Sequence, residues 1–82
     1  MEPKDFIFKY FKIDKMTDID EKEILSYNYI EKGLIDSFGV IELISTVESA
    51  FDFVFSENDF KAERFSTIGG LIKIIEERRK PQ

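Results

Sequence analysis

Cysteine and histidine are both absent from the 82 residues. Without cysteine there is no disulfide framework, no zinc-thiolate centre and no thiol nucleophile. Without histidine the commonest general base and metal ligand is missing, and a serine-histidine-aspartate nucleophile cannot be assembled from this chain alone. No apolar run approaches the roughly 20 residues that cross a bilayer. The segment Met1-Glu2-Pro3-Lys4-Asp5 lacks the basic start and apolar centre of a secretory leader, so a soluble cytoplasmic protein without a membrane span is expected. Basic residues are missing from the middle of the chain. Between Gly33 and Phe60 stand Asp36, Glu42, Glu48, Asp52, Glu57 and Asp59 with no lysine or arginine, in a chain of formal charge −5. That balance argues against nucleic acid as a partner, because binding there depends on cationic side chains displacing counterions.

What is present is a small aromatic-rich chain. At this length a single domain, residues 1–82, is expected, burying about 60% of its unfolded surface. Nine phenylalanines and three tyrosines supply large apolar side chains, which allow a chain this short to reach adequate burial without staples. The acidic middle has two readings. One is a solvated helix face, the ordinary meaning of a charge run; the other is a docking face for basic partners, whose attraction would weaken with salt.

Pro3 suits the first turn of a helix, and Glu2 and Asp5 favour a helix N-terminus. Phe6, Tyr10 and Ile13 recur at helical spacing, predicting a first helix over about residues 3 to 13, with Met16 as its outer limit. From Asp14 to Asp36 the apolar residues Ile19, Ile24, Leu25, Tyr27, Tyr29, Ile30, Leu34 and Ile35 hold neither period for long. A segment of that length without structure is improbable in a small domain, so it is expected to carry a short helical turn at Asp20 to Leu25 and to pin itself to the core with those side chains. Asp18 and Asp20 invite a calcium reading. A calcium loop starting at Asp18 would, however, need glycine where Glu23 stands and glutamate where Tyr29 stands, which excludes it. The acids elsewhere are spread out and lack histidine, so neither a metal site nor a metal-assisted hydrolase is expected.

A second helix is predicted from Ser37 to Phe51, with Val40, Leu43, Ile44, Val47 and Phe51 on one buried stripe. Phe38, Ile41, Ser45 and Glu48 fall off that stripe, on the flank continuing from Ser37. Two large apolar side chains are therefore expected to be partly exposed beside Ser37, near Glu42 and Glu48, as a small binding surface. Phe51 to Phe55 alternates as a strand would, but with no partner strand it reads as an extended connector whose phenylalanines plug the end of the bundle. Ser56 with Asp59 resembles a capping box, opening a short helix over about residues 57 to 62. Phe65-Ser66-Thr67-Ile68 then caps a last helix with Ile68, Leu71, Ile72 and Ile75 buried, its end complemented by Arg78-Arg79-Lys80 and stopped by Pro81. Gly69-Gly70 costs about 1 kcal/mol per residue inside a helix, which points to a close approach of backbone to a neighbour or to bound cargo, plain packing being the ordinary reading of the two.

The stretch Gly33-Leu34-Ile35-Asp36-Ser37-Phe38-Gly39-Val40-Ile41-Glu42-Leu43 sets a polar turn against the start of that second helix. The Ser37 hydroxyl is thereby expected where amides are unpaired and where the helix dipole favours an anion by roughly 0.3 to 1 kcal/mol. An ordinary N-cap would also account for an Asp-Ser pair taken by itself. With its apolar helix, acid positions, capped third helix and terminal apolar helix, the pattern resembles the Asp-Ser-Leu signature of acyl and peptidyl carrier proteins over nearly the whole chain.

The resemblance implies an all-α four-helix bundle with a long first loop and a short third helix. It implies that Ser37, flanked by Asp36, accepts 4′-phosphopantetheine from coenzyme A through a magnesium-dependent phosphopantetheinyl transferase. The arm then carries acyl groups as thioesters in fatty-acid, polyketide or related biosynthesis. Asp36, Phe38, Ile41, Glu42 and Glu48 match positions that usually face partner enzymes, and Ser45 shares their flank. Loading, synthase and transferase enzymes with basic docking surfaces are the expected partners of a monomeric carrier with no catalytic residues of its own. Phenylalanine stands at position 38 where the family usually has leucine, which bears on which transferase and partners accept it. The alternative is a helical interaction module that keeps the carrier fold without a prosthetic group.

Overall fold

The computed structural model describes residues 2–13 and 20–79. Among these residues five helices follow in order: α1 (Pro3–Tyr10), α2 (Glu21–Ser26), α3 (Ser37–Phe51), α4 (Glu57–Lys61) and α5 (Ile68–Arg78), with a 3₁₀ turn over Glu63–Ser66 ahead of the last. The bundle is all-α among the described residues, as the resemblance implied, and α2 is the short helical turn expected in the long first loop. Met16, Asp18 and Ile19 lie outside the described residues, as do Lys80 and Pro81.

α1 is shorter than its apolar spacing predicted. It stops at Tyr10 because Lys12 turns into the left-handed region at φ 57°. The Ile13 N–H then returns to the Phe8 carbonyl at 2.8 Å and the Lys12 N–H to the Lys9 carbonyl at 3.1 Å. This is the paired closure that satisfies the last carbonyls of a helix, made here by lysine rather than glycine. Ile13 keeps its helical spacing without being helical, and it still packs on the core.

α5 is the central element. Ile68, Leu71, Ile72, Ile74 and Ile75 are all buried, one more than the predicted face, because α5 is covered from several sides. It packs against α1, α2 and the 3₁₀ turn. Thr67 caps it, accepting from the Gly70 N–H at 3.0 Å. A Cβ built on Gly70 would stand 1.9 Å from the Arg64 carbonyl oxygen, and one on Gly69 2.8 Å from that of Leu25. Both glycines therefore serve backbone packing, Gly70 against the 3₁₀ turn and Gly69 against α2.

α3 completes the bundle through its predicted stripe. Leu43, Val47 and Phe51 are buried, and Val40 and Ile44 pack partly buried beside them. The Phe51 ring meets Phe6 of α1 edge-on, with centroids 5.2 Å apart. Asp52 ends α3 at φ 54°. The following connector is extended, and no strand forms among the described residues. Its Phe55 is buried against Phe53, Phe60 and Phe65, forming the predicted plug.

The capping box at α4 is also as predicted: the Asp59 N–H donates to Ser56 Oγ at 3.3 Å, and the Ser56 N–H to Asp59 Oδ2 at 2.8 Å. Asp59 has a further partner. Arg78 donates to the same oxygen at 2.6 Å and to the Val54 carbonyl at 3.1 Å, tying the end of α5 to α4 and the connector. Arg78 thus spends its charge on a side-chain pair as well as on the helix end.

Candidate functional site

Ser37 is presented by the loop that precedes it. Tyr29 is fully buried. Its hydroxyl donates to the Phe65 carbonyl and its ring lies 5.2 Å from Phe11. Burial pushes its phenol far above the ordinary value. On the backbone, the Tyr29 N–H donates to Ser66 at 3.1 Å and the Ile68 N–H to Tyr27 at 3.1 Å. Asn28 folds the next turn by accepting from the Glu31 N–H at 2.7 Å and the Ile30 N–H at 3.1 Å. Gly33, at φ 73°, then supplies the left-handed residue that swings the chain back toward α3.

At the end of that turn Asp36 takes the capping position, its Oδ1 accepting from the Gly39 N–H at 2.8 Å. A Cβ on Gly39 would lie 2.9 Å from the Ile35 side chain, so glycine lets the loop close tightly over the helix start. Ser37 is therefore the first helical residue and is exposed. Its hydroxyl has no hydrogen-bond partner among the described residues, and neither do the amides of Ser37 and Phe38. These are the orphan donors of a helix N-terminus, with the dipole's positive end beside them. A phosphate ester on Ser37 fits this place: the oxygen is open to solvent, and free amides face an anion.

The flank beside Ser37 is more apolar and more open than expected. Phe38 is 83% exposed and Ile41 65%, with Glu42 and Ser45 exposed among them. Leu34, expected to anchor the loop to the core, is instead 47% exposed and adds a third apolar side chain near the serine. The Leu34 N–H donates to the Tyr29 carbonyl at 3.0 Å, while the loop is anchored by buried Tyr29 and by Ile24, Leu25 and Ile35, which pack on the core. Ile30 and Tyr27 are likewise exposed.

The acids divide by role. Glu42 is exposed on the flank, and its charge, second to burial, raises the phenol pKa of Tyr10. Glu48 is half-buried and accepts from the Phe55 N–H at 2.8 Å, so one of its oxygens belongs to the fold. Asp59 is buried against Arg78, and Glu57 pairs with Lys61 one turn on. The acidic middle is thus only partly a free surface. Among the described residues no three acids come together as a metal-holding group, and no helix is long and apolar enough to cross a membrane.

An acyl carrier protein from Chlamydia muridarum (strain MoPn / Nigg) is 47% identical over 60 residues, covering 73% of this chain and 73% of its own. The chain belongs to the acyl carrier protein family. A second family relative, an acyl carrier protein from Chlamydia trachomatis serovar D (strain ATCC VR-885 / DSM 19411 / UW-3/Cx), is 37% identical over 67 residues, 82% of this chain and 84% of its own. A D-alanyl carrier protein from Bacillus subtilis (strain 168) is 27% identical over 74 residues, 85% of this chain and 95% of its own. No family model matches the chain, and neither does any solved structure. The helical bundle and the carrier-protein family are consistent with each other, and the family's relatives include carriers of two kinds.

Proposed function

We propose that this carrier is a single-domain cytoplasmic acyl carrier whose Ser37 accepts 4′-phosphopantetheine from coenzyme A. The observation that carries the proposal is the Ser37 hydroxyl, exposed and unengaged at the first turn of α3 because Asp36 has taken the capping bond. In the transfer, Ser37 Oγ attacks the phosphorus that joins the pantetheine arm to the nucleotide, the hydroxyl proton passes to a base of the transferase, and adenosine 3′,5′-bisphosphate leaves. The attached group supplies a terminal thiol on a flexible chain, on which acyl cargo travels as a thioester for fatty-acid, polyketide or related biosynthesis. The chain's own part is to hold the oxygen in the open, receive the phosphodiester on the helix amides, and offer a surface that enzymes grip.

That surface is Phe38, Ile41, Glu42 and Ser45, with Asp36 at its upper edge and Glu48 at its lower one. The transferase, together with loading and synthase enzymes, would dock there through an apolar contact bordered by basic groups. Catalysis would reside in those partners. The cargo class follows from weighing the carrier after isolation from its native cell, since arm and cargo add to the intact mass together.

Incubation of the apo protein with a phosphopantetheinyl transferase, coenzyme A and magnesium tests the proposal. The protein gains the mass of the arm, and Ser37→Ala abolishes the gain. No gain with several transferases would overturn it and leave an interaction module that keeps the carrier fold without an arm.

A further inference from the structure

Away from Ser37, a groove of about 530 Å³ runs between α2 and α5. No residue of α3 lines it. Its floor is Leu25, Ile72 and the backbone of Gly69 and Gly70, and Lys4, Lys22, Arg64 and Lys73 stand around it, with Glu76 the single acid of the lining among the described residues. In a chain of net charge −5 this is a local reversal of sign. Two of the cations are already engaged, Lys4 with Glu21 and Arg64 in a two-pronged pair with Glu77 at 2.8 and 2.9 Å. Lys22 and Lys73 are exposed and form no ion pair among the described residues, although Lys73 lies near enough to Glu77 to help lower that carboxyl's pKa.

We propose that this groove binds a small soluble anionic amphiphile, of which an alkyl carboxylate is the simplest, with its apolar body on Leu25, Ile72 and the glycine backbone and its anion at Lys22 and Lys73. An apolar floor with a few polar groups at its edge is the usual make-up of a small-molecule site, and the volume lies within the range of roughly 300 to 1,000 Å³ that such sites occupy. The ten lining residues among those described fall well short of the roughly 20 to 30 per side of a stable protein interface. A concave floor also suits an inserted chain better than a flat bilayer. Because the groove is open on one side, binding is weak, with a Kd on the order of 1 mM.

Titration of the isotope-labelled apo protein with monomeric decanoate, followed by amide chemical shifts, tests this. Saturable shifts are expected at Leu25, Ser26, Gly69, Gly70 and Ile72. Decyltrimethylammonium, with the same chain and the opposite charge, is expected to bind about tenfold more weakly or not at all. Lys22→Glu with Lys73→Glu is expected to weaken decanoate about tenfold; the gentler Lys22→Gln with Lys73→Gln weakens it less and covers the case of a misfolded reversal. Equal binding of the cationic amphiphile would overturn the proposal. So would shifts centred instead on Leu43, Val47 and Ile75 of the core, or binding to anionic phospholipid vesicles without binding of decanoate. Since Ser37 takes no part, the result is read whether or not the serine accepts an arm.

Discussion

Glu48 of α3 accepts a hydrogen bond from the backbone N–H of Phe55 at 2.8 Å, across the connector that leads into α4. The sequence places Glu48 on the same flank as Phe38 and Ile41, yet this bond makes it a strut of the fold. Glu42 and Glu48 are therefore expected to respond differently to charge reversal. Glu42→Lys leaves the urea midpoint nearly unchanged and slows arm attachment most at low salt, because it inverts an exposed charge on the proposed docking face. Glu48→Lys loses the Phe55 bond and destabilises by about 1 to 3 kcal/mol, with Glu48→Gln recovering part of the loss. Equal stabilities of the two lysine variants would contradict this division.

Alkaline pH is expected to unfold the protein through Tyr29. Burial raises its phenol above the ordinary 10.0, so the folded state holds that proton more tightly than the unfolded one. The corresponding stability is fully present below the unfolded pKa and is lost as pH rises above it toward the folded value, by up to about 1.4 kcal/mol per pH unit for one proton. Tyr29→Phe removes this part of the alkaline decline. It also costs about 1 to 2 kcal/mol near neutrality, since the Phe65 carbonyl loses its donor. Urea unfolding of both proteins between pH 7 and 11 checks the sign and the window.

Gly70→Ala reverses the usual gain of alanine in a helix. The added Cβ would sit 1.9 Å from the Arg64 carbonyl oxygen, a backbone atom that cannot swing aside, so α5 and the 3₁₀ turn must separate. A loss of about 3 kcal/mol or more is expected, against a propensity gain of about 1. Thermal or urea unfolding checks it.

Lys12→Gly is expected to stabilise the end of α1. Lysine at φ 57° carries a steric cost of about 1 kcal/mol that glycine lacks. A rise in the urea midpoint without a change in slope is the expected result.

Most of the fold was legible because its elements announce themselves locally. The α3 stripe, the Ser56/Asp59 capping box and the apolar face of α5 each depend on residues within a few positions of one another. Contacts that bridge distant segments were not legible: Asp59 with Arg78, the Tyr29 hydroxyl with Phe65, Glu48 with Phe55. Each depends on where two elements come to rest. The early end of α1 was missed for a different reason, since apolar spacing continues through Ile13 while a left-handed lysine stops the helix. At the candidate site, the composition of the exposed flank followed from helical periodicity. The loss of Glu48 to an internal bond did not, nor did the exposure of Leu34. The basic groove draws its lysines from α1, α2 and α5, so no single stretch signals it.

The ring of Phe38 stands almost wholly in water, and beside Ile41 it offers every copy of the protein an adhesive spot. Mutual repulsion from the net charge of −5 is expected to keep such molecules dispersed at neutral pH. Near pH 4.7, where the charge vanishes, that protection is gone, and stock solutions are expected to turn cloudy there. Replacing Phe38 with a polar residue should keep them clear.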